Sequence, residues 1–188
     1  MLGFPLRHMT SPLGRVLGEL DAWRERIPLS ELKRALADLP VTIDDVRPFV
    51  RFASDGYRRN LMHSGPAYQA LVLCWRNGQR SPIHDHRGSN CGVRVLHGTA
   101  LETVFERARN HMIYAVRSRE LKPGAICATQ DDDIHQVSNL AADGDDLVTL
   151  HVYSPPLLQM GTYSLFDAEV KAFLEPVHED ALADGGGI

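Results

Sequence analysis

From residue 57 onward, apolar residues fall in short runs rich in Val, Leu, Ile, Thr and aromatics, broken by Gly, Asn, Asp and Pro. Such runs are half-buried or buried strands. They predict strands over 58–61, 68–75, 91–97, 100–107, 113–121, 125–129, 134–138 and 147–153. Asn77-Gly78, Gly98, Pro123-Gly124 and Asp143-Gly144 supply the turns between them. Many short strands at this spacing describe a sandwich or barrel rather than a parallel sheet. Ser154-Pro155-Pro156 ends the run, because consecutive prolines remove ladder donors.

Before residue 57 the period is helical. Between Val16 and about Leu39, Leu17, Leu20 and Trp23 share a face, and Ser30 is placed to cap a helix carrying Leu32, Leu36 and Leu39. Thr42-Ile43-Asp44-Asp45 opens a further short helix through Val46, Phe49, Val50 and Phe52, expected to end near residues 54–56. A last short helix is expected over 166–174, and a disordered tail over 183–188, where three glycines are consecutive. The chain therefore reads as a single domain: a helical flank (1–56), an all-β barrel core (57–156), a C-terminal extension (157–182) and the tail.

Composition narrows the function class. With 188 residues and 44% apolar content the chain can bury a real core. A net charge of -4 without a long basic run argues against nucleic acid or an anionic membrane surface as partner, and for a small molecule. No apolar run is long enough to cross a bilayer, and residues 1–14 lack a basic start followed by an apolar core, so the expected location is the cytoplasm. Cys74, Cys91 and Cys127 form no close pair, which suits a reducing compartment. The oligomeric state stays open, with a monomer the first expectation.

The chemistry concentrates in the histidines. In an extended strand successive side chains face opposite ways, so His84 and His86 share a face from which Asp85 points away. His135, about fifty residues later, can supply a third ligand from a separate strand. Three imidazoles on one side of an ion leave the other side open to substrate, which separates a working metal from a structural one. His8, His63, His97, His111 and His178 have no comparable support and are read as structural.

The spacing from Gly78 through His84, His86 and Cys91 to Gly98, followed by His135 and Asn139, is similar to the signature boxes of the cupin superfamily, except that Cys91 stands where a glutamate ligand is usual. The resemblance implies a cupin jelly-roll β-barrel. Four blocks make it more specific: Tyr57-Arg58-Arg59-Asn60-Leu61, Leu73-Cys74-Trp75, Ser81-Pro82-Ile83-His84-Asp85-His86 continuing to Cys91, and Leu150-His151-Val152-Tyr153-Ser154-Pro155-Pro156. Together they resemble the thiol dioxygenases, most closely the cysteine dioxygenase family, over about 55–167.

That resemblance implies ferrous iron, Fe(2+), held by His84, His86 and His135, and the conversion of L-cysteine and O2 to cysteine sulfinic acid. It assigns the substrate carboxylate to Arg59, with Tyr57 beside it, and catalytic roles to Tyr153, His151 and Cys91. His151 and Thr149 match a polar chain that orients Tyr153. A guanidinium suits the carboxylate because its planar fork meets both oxygens and keeps its charge. Arg58 should point elsewhere. Cys91 matches the cysteine that forms a thioether with the tyrosine in animal members, so a Cys91 to Tyr153 crosslink stays open. Met160 is a candidate pocket residue. The competing readings are a dioxygenase of another small thiol carboxylate such as 3-mercaptopropionate, whose relatives usually carry glutamine in place of Arg59, and a non-catalytic metal-binding cupin.

Overall fold

In the computed structural model, which describes residues 11–130, 133–174 and 176–179, the chain opens with helix α1 (Pro12–Leu20). The Ser11 hydroxyl accepts from the Gly14 amide at 3.0 Å, and Pro12 brings the fixed φ that a first turn needs. Leu13, Leu17 and Leu20 form its buried stripe. Helix α2 (Leu29–Ala37) departs from expectation at its start. The Pro28 carbonyl accepts from both the Glu31 and Leu32 amides, so Pro28 occupies the cap position and Ser30 lies inside the first turn without capping it. The third helical segment is a 3-10 turn, Asp44–Phe49, held at its entry by the Asp45 carboxylate, which accepts from the Thr42 amide and hydroxyl at 2.8 Å each. It stops short of the expected 54–56: the Val50 amide makes the last bond, to the Arg47 carbonyl, and Val50 itself is extended.

The strands are β1 (Arg58–Ser64), β2 (Gln69–Trp75), β3 (Ile83–His84), β4 (Asn90–His97), β5 (Ala100–Arg107), β6 (Ile113–Leu121), β7 (Ile126–Gln130), β8 (Ile134–Ser138), β9 (Leu147–Ser154), β10 (Met160–Tyr163) and β11 (Lys171–Phe173). They form a five-stranded sheet in the order β1-β2-β9-β4-β7 and a six-stranded sheet in the order β11-β10-β3-β8-β5-β6. Consecutive strands lie in different sheets repeatedly, which is the wound, all-antiparallel arrangement of a jelly roll. The helix expected over 166–174 is absent. Ser164 and Asp167 accept from the Phe166 and Glu169 amides, turning the chain locally, and β11 then pairs with β10. The tail over 183–188 and His8 lie outside the described residues.

Why β2 and β9 carry almost no polar alternation follows from what covers them. Leu71, Leu73 and Trp75, with Leu147 and Tyr153, face the space between the sheets. The alternate residues Ala70, Val72 and Cys74, with Val148, Leu150 and Val152, pack under α1, α2 and the 3-10 turn. Strands buried on both faces read as continuous apolar runs. The helical flank therefore roofs one sheet and leaves the barrel interior to the site. Among the described residues, no helix is long and apolar enough to cross a membrane.

Gly98 makes the turn between β4 and β5 at φ +73°, and a Cβ there would lie 2.3 Å from the Asp146 carbonyl oxygen. Gly98→Ala should lose about 1–3 kcal/mol from backbone strain alone, before the clash is counted. The result is read as a fall in the urea midpoint at unchanged slope.

Candidate metal centre and substrate cavity

Strand β3 is only two residues long, because Pro82 precedes it and the chain turns through Arg87-Gly88 soon after. His86 therefore lies just beyond the ladder instead of within a longer strand, yet the alternation still holds. His84 and His86 both enter the barrel and Asp85 points the other way, where Oδ1 accepts from the Gly161 amide at 2.8 Å. His135 arrives from β8, whose only ladder pairing to β3 is His135 opposite His84. The ring centroids stand 4.7 to 5.3 Å apart and meet edge to face. One nitrogen from each ring lies within 4.8 Å of the others, the arrangement of three ligands around a single ion.

Their hydrogen bonds and burial prepare them as ligands. The Pro82 carbonyl can only accept, so at 3.0 Å it fixes the hydrogen of His84 on Nδ1 and leaves Nε2 with its lone pair. Nδ1 of His86 lies 3.3 Å from the Thr129 hydroxyl. Burial pushes the His84 and His135 pKa values down to about 3 and about 4, with His135 adding repulsion at His84. Burial also holds His86 well below the ordinary value, helped by both neighbours. All three rings are neutral near pH 7, and neutral imidazole is the form that binds a metal. An all-imidazole set suits iron, zinc, copper and nickel, so the residues fit a redox-active divalent ion.

Every site residue expected from the sequence lines one cavity between the sheets: Tyr57, Arg59, His84, His86, Cys91, His135, His151 and Tyr153, together with Thr149 and Met160. Arg59 comes from β1 and is only 2% exposed. Its guanidinium carbon lies 5.6 Å from the centre of the Tyr153 ring. Arg58 turns to the other face, as expected, and donates to Asn60. Tyr57 stacks on Trp75 with centroids 4.0 Å apart and planes 8° from parallel.

On β9, alternation sends Thr149, His151 and Tyr153 inward together. They form a chain that starts at the Trp75 indole, which donates to the Thr149 hydroxyl at 3.1 Å. Thr149 Oγ1 is 2.9 Å from His151 Nε2, and His151 Nδ1 is 3.0 Å from the Tyr153 hydroxyl. Burial, then the charge of Arg59, keeps His151 neutral, with its pKa well below the ordinary value. Cys91 is the direct cross-strand neighbour of Tyr153 in the register of β4 against β9. Burial pushes its thiol pKa up, and the Tyr153 hydroxyl hydrogen-bonds to it.

Three features of the site are not legible in the sequence. Trp75, there only part of a likeness block, anchors both Tyr57 and the Thr149 chain. The second is a bridge at the far wall: Glu102 on β5, 2% exposed, accepts from Arg119 at 2.5 Å and from the Cys127 thiol of β7 at 3.0 Å. Burial, then the Glu102 charge, pushes the Cys127 pKa up to about 12, so it stays a thiol and donates. The third is the support of Arg59 from the C-terminal segment. His178 donates its amide to the Arg59 carbonyl at 2.8 Å and accepts from the Leu61 amide at 2.9 Å, extending the sheet beside β1. Backbone pairing of this kind has no residue signature.

A double-wound antiparallel barrel with three convergent imidazoles in its lumen is a cupin with a metal-ligand set. The fold agrees with a solved protein of Thermus thermophilus, at TM-score 0.51 and 20% identity over 62% of this chain and 99% of that one. The family model described as cysteine dioxygenase type I matches residues 22–165, and the chain belongs to that family. Cysteine dioxygenase type 1 of Bos taurus is 32% identical over 76% of this chain and 72% of its own length. The Rattus norvegicus protein of the same name is 33% identical with the same coverage.

Proposed function

We propose that this chain is a non-haem iron thiol dioxygenase that converts L-cysteine and O2 to cysteine sulfinic acid, both oxygen atoms entering the product. The observation that carries this reading is the buried guanidinium of Arg59 in the same cavity as the three neutral imidazoles. Uncharged ligands leave a divalent ion's charge uncancelled, so the cavity favours a substrate that is anionic at both ends, a thiolate and a carboxylate. Iron held by His84, His86 and His135 would supply a Lewis acid that accepts the soft thiolate and the means to activate oxygen.

The remaining work belongs to the protein. Arg59, buried in the cavity wall, takes the carboxylate, which removes the substrate's rotational freedom before reaction. Tyr57, rigid against Trp75, forms the adjoining wall. With the His151 hydrogen on Nδ1, Tyr153 accepts from His151 and gives its own hydrogen to Cys91, from which a bound substrate could take it over. The Thr149 hydroxyl and Trp75 hold His151 in place for this. Removing that donor leaves the carboxylate site intact, so Tyr153→Phe should lower kcat by about 10²-fold with little change in KM. Steady-state oxygen uptake reads both constants. The three described cysteines are all free and buried, which supports a reducing compartment, the cytoplasm.

The function is tested by metal content of protein purified without added metal, paired with oxygen consumption on cysteine and on 3-mercaptopropionate. Stoichiometric iron and faster, saturable turnover of cysteine support the assignment. Faster turnover of 3-mercaptopropionate would move the substrate to that thiol, and no thiol-dependent uptake by iron-replete protein would leave a non-catalytic cupin.

A further inference from the structure

Asp85 lies between two of the ligand histidines and faces away from them, yet it is 8% exposed and fully engaged. Its Oδ1 accepts from the Gly161 amide at 2.8 Å and its Oδ2 from the Tyr163 hydroxyl at 2.5 Å, while its own amide donates to the Gly161 carbonyl at 3.0 Å. The ladder adds Thr162 opposite His84 and Tyr163 opposite Ile83. Gly161 has no room for a side chain: an added Cβ would meet Asp85 Oδ2 at 2.6 Å and Oδ1 at 2.9 Å. Burial, then the bond to Asp85, pushes the Tyr163 pKa up to about 12, so the phenol keeps the proton it donates.

A two-residue strand cannot hold two ligands by its own ladder. His86 lies outside it, on the approach to the turn at Arg87-Gly88. Beside the backbone pairing, the carboxylate between the ligands is the side-chain tie from this stretch to β10, and β10 begins with Met160, which is buried and lines the cavity. We infer that Asp85 is a positioning residue, whose carboxylate clamps the His84–His86 segment onto Gly161 and Tyr163 and so sets the ligand geometry and the Met160 wall together. This rests on the reading of the three histidines as metal ligands.

The test is metal affinity, measured by competing Fe(2+), and separately Co(2+), against a chromophoric chelator on variants shown to be folded at the assay temperature. Asp85→Ala should weaken binding by about 10–100-fold, the usual effect of losing a group that orients metal ligands. Asp85→Asn, which keeps an acceptor for Gly161 and a polar partner for Tyr163, should retain most of the affinity. Gly161→Ala, distant in sequence, should weaken binding as Asp85→Ala does by pushing the carboxylate away, and should add nothing in the Asp85→Ala background. Tyr163→Phe removes one hydroxyl from a partly buried site and should give a several-fold loss, which covers the case in which a stronger variant fails to fold.

Wild-type affinity in Asp85→Ala would overturn the inference, as would additive losses in the double variant or an Asp85→Asn as weak as Asp85→Ala. Loss of metal in His135→Ala, measured alongside, tests the ligand reading separately. If His135→Ala binds metal normally, the ligand assignment falls; if it does not, the Asp85 results stand on their own.

Discussion

His135→Ala should lose its iron and its thiol-dependent oxygen consumption together. The ligand set has three members and, among the described residues, no further His, Cys, Asp or Glu joins their cluster. Cys91, at the place of the usual cupin glutamate, keeps its proton because burial pushes its thiol pKa up, and it hydrogen-bonds to Tyr153. Nothing nearby replaces a deleted imidazole. Loss of an outer residue that merely orients a ligand costs about 10–100-fold in affinity, so loss of a ligand itself should exceed that and leave protein purified without added metal essentially iron-free. Activity should fall to background and stay there at micromolar iron. The fold should survive, because His135 belongs to none of the apolar clusters and the core between the helical flank and the outer faces of β2 and β9 is untouched. Metal analysis and an oxygen electrode on the same sample check this, with circular dichroism as the folding control. Stoichiometric iron in the variant would exclude His135 as a ligand.

How far the site can be read from the chain depends on the range of each interaction. His84, His86 and His135 are legible because a two-residue period and flanking glycines are local signals, and Thr149, His151 and Tyr153 because alternation along β9 places them on one face. The strands over 100–107, 113–121 and 134–138 have the bounds expected of them, since their turns carry glycine, proline or asparagine. β10 and β11 give no such signal. Met160–Tyr163 is a strand because β3 offers it a ladder, and residues 166–174, whose apolar spacing suggests a helix, instead expose Phe166 and Leu174. Contacts across the barrel are invisible for the same reason. Glu102 with Cys127 joins different sheets, and Asp85 with Tyr163 spans 78 positions. Ser30 shows the opposite error, a good capping residue overridden by a proline two places earlier.

Arg59→Ala should cripple cysteine turnover and leave the iron in place. Truncating one partner of a buried, hydrogen-bonded charge pair costs about 2–5 kcal/mol, which at about 1.4 kcal/mol per tenfold is a loss of roughly 30-fold to several thousand-fold in kcat/KM. Most of it should appear in KM, since the carboxylate contact exists before reaction, with a smaller fall in kcat from lost orientation. Iron content should not fall. The positive charge of Arg59 works against a cation in the cavity, and after burial and the neighbouring histidines it adds to the lowering of the His84 and His86 pKa values, so its removal relieves repulsion at the ligands. Arg59→Lys separates charge from shape: an ammonium keeps the attraction but cannot present the planar fork, and should recover part of the loss. Because the Arg59 guanidinium also lies over the Tyr153 ring, the lysine variant further guards against a disturbed tyrosine being mistaken for a missing carboxylate contact. Steady-state kinetics on cysteine against cysteamine, which lacks the carboxylate, completes the cycle. Wild type should prefer cysteine strongly and Arg59→Ala should not, whereas an undiminished preference in the variant would remove Arg59 from the substrate site.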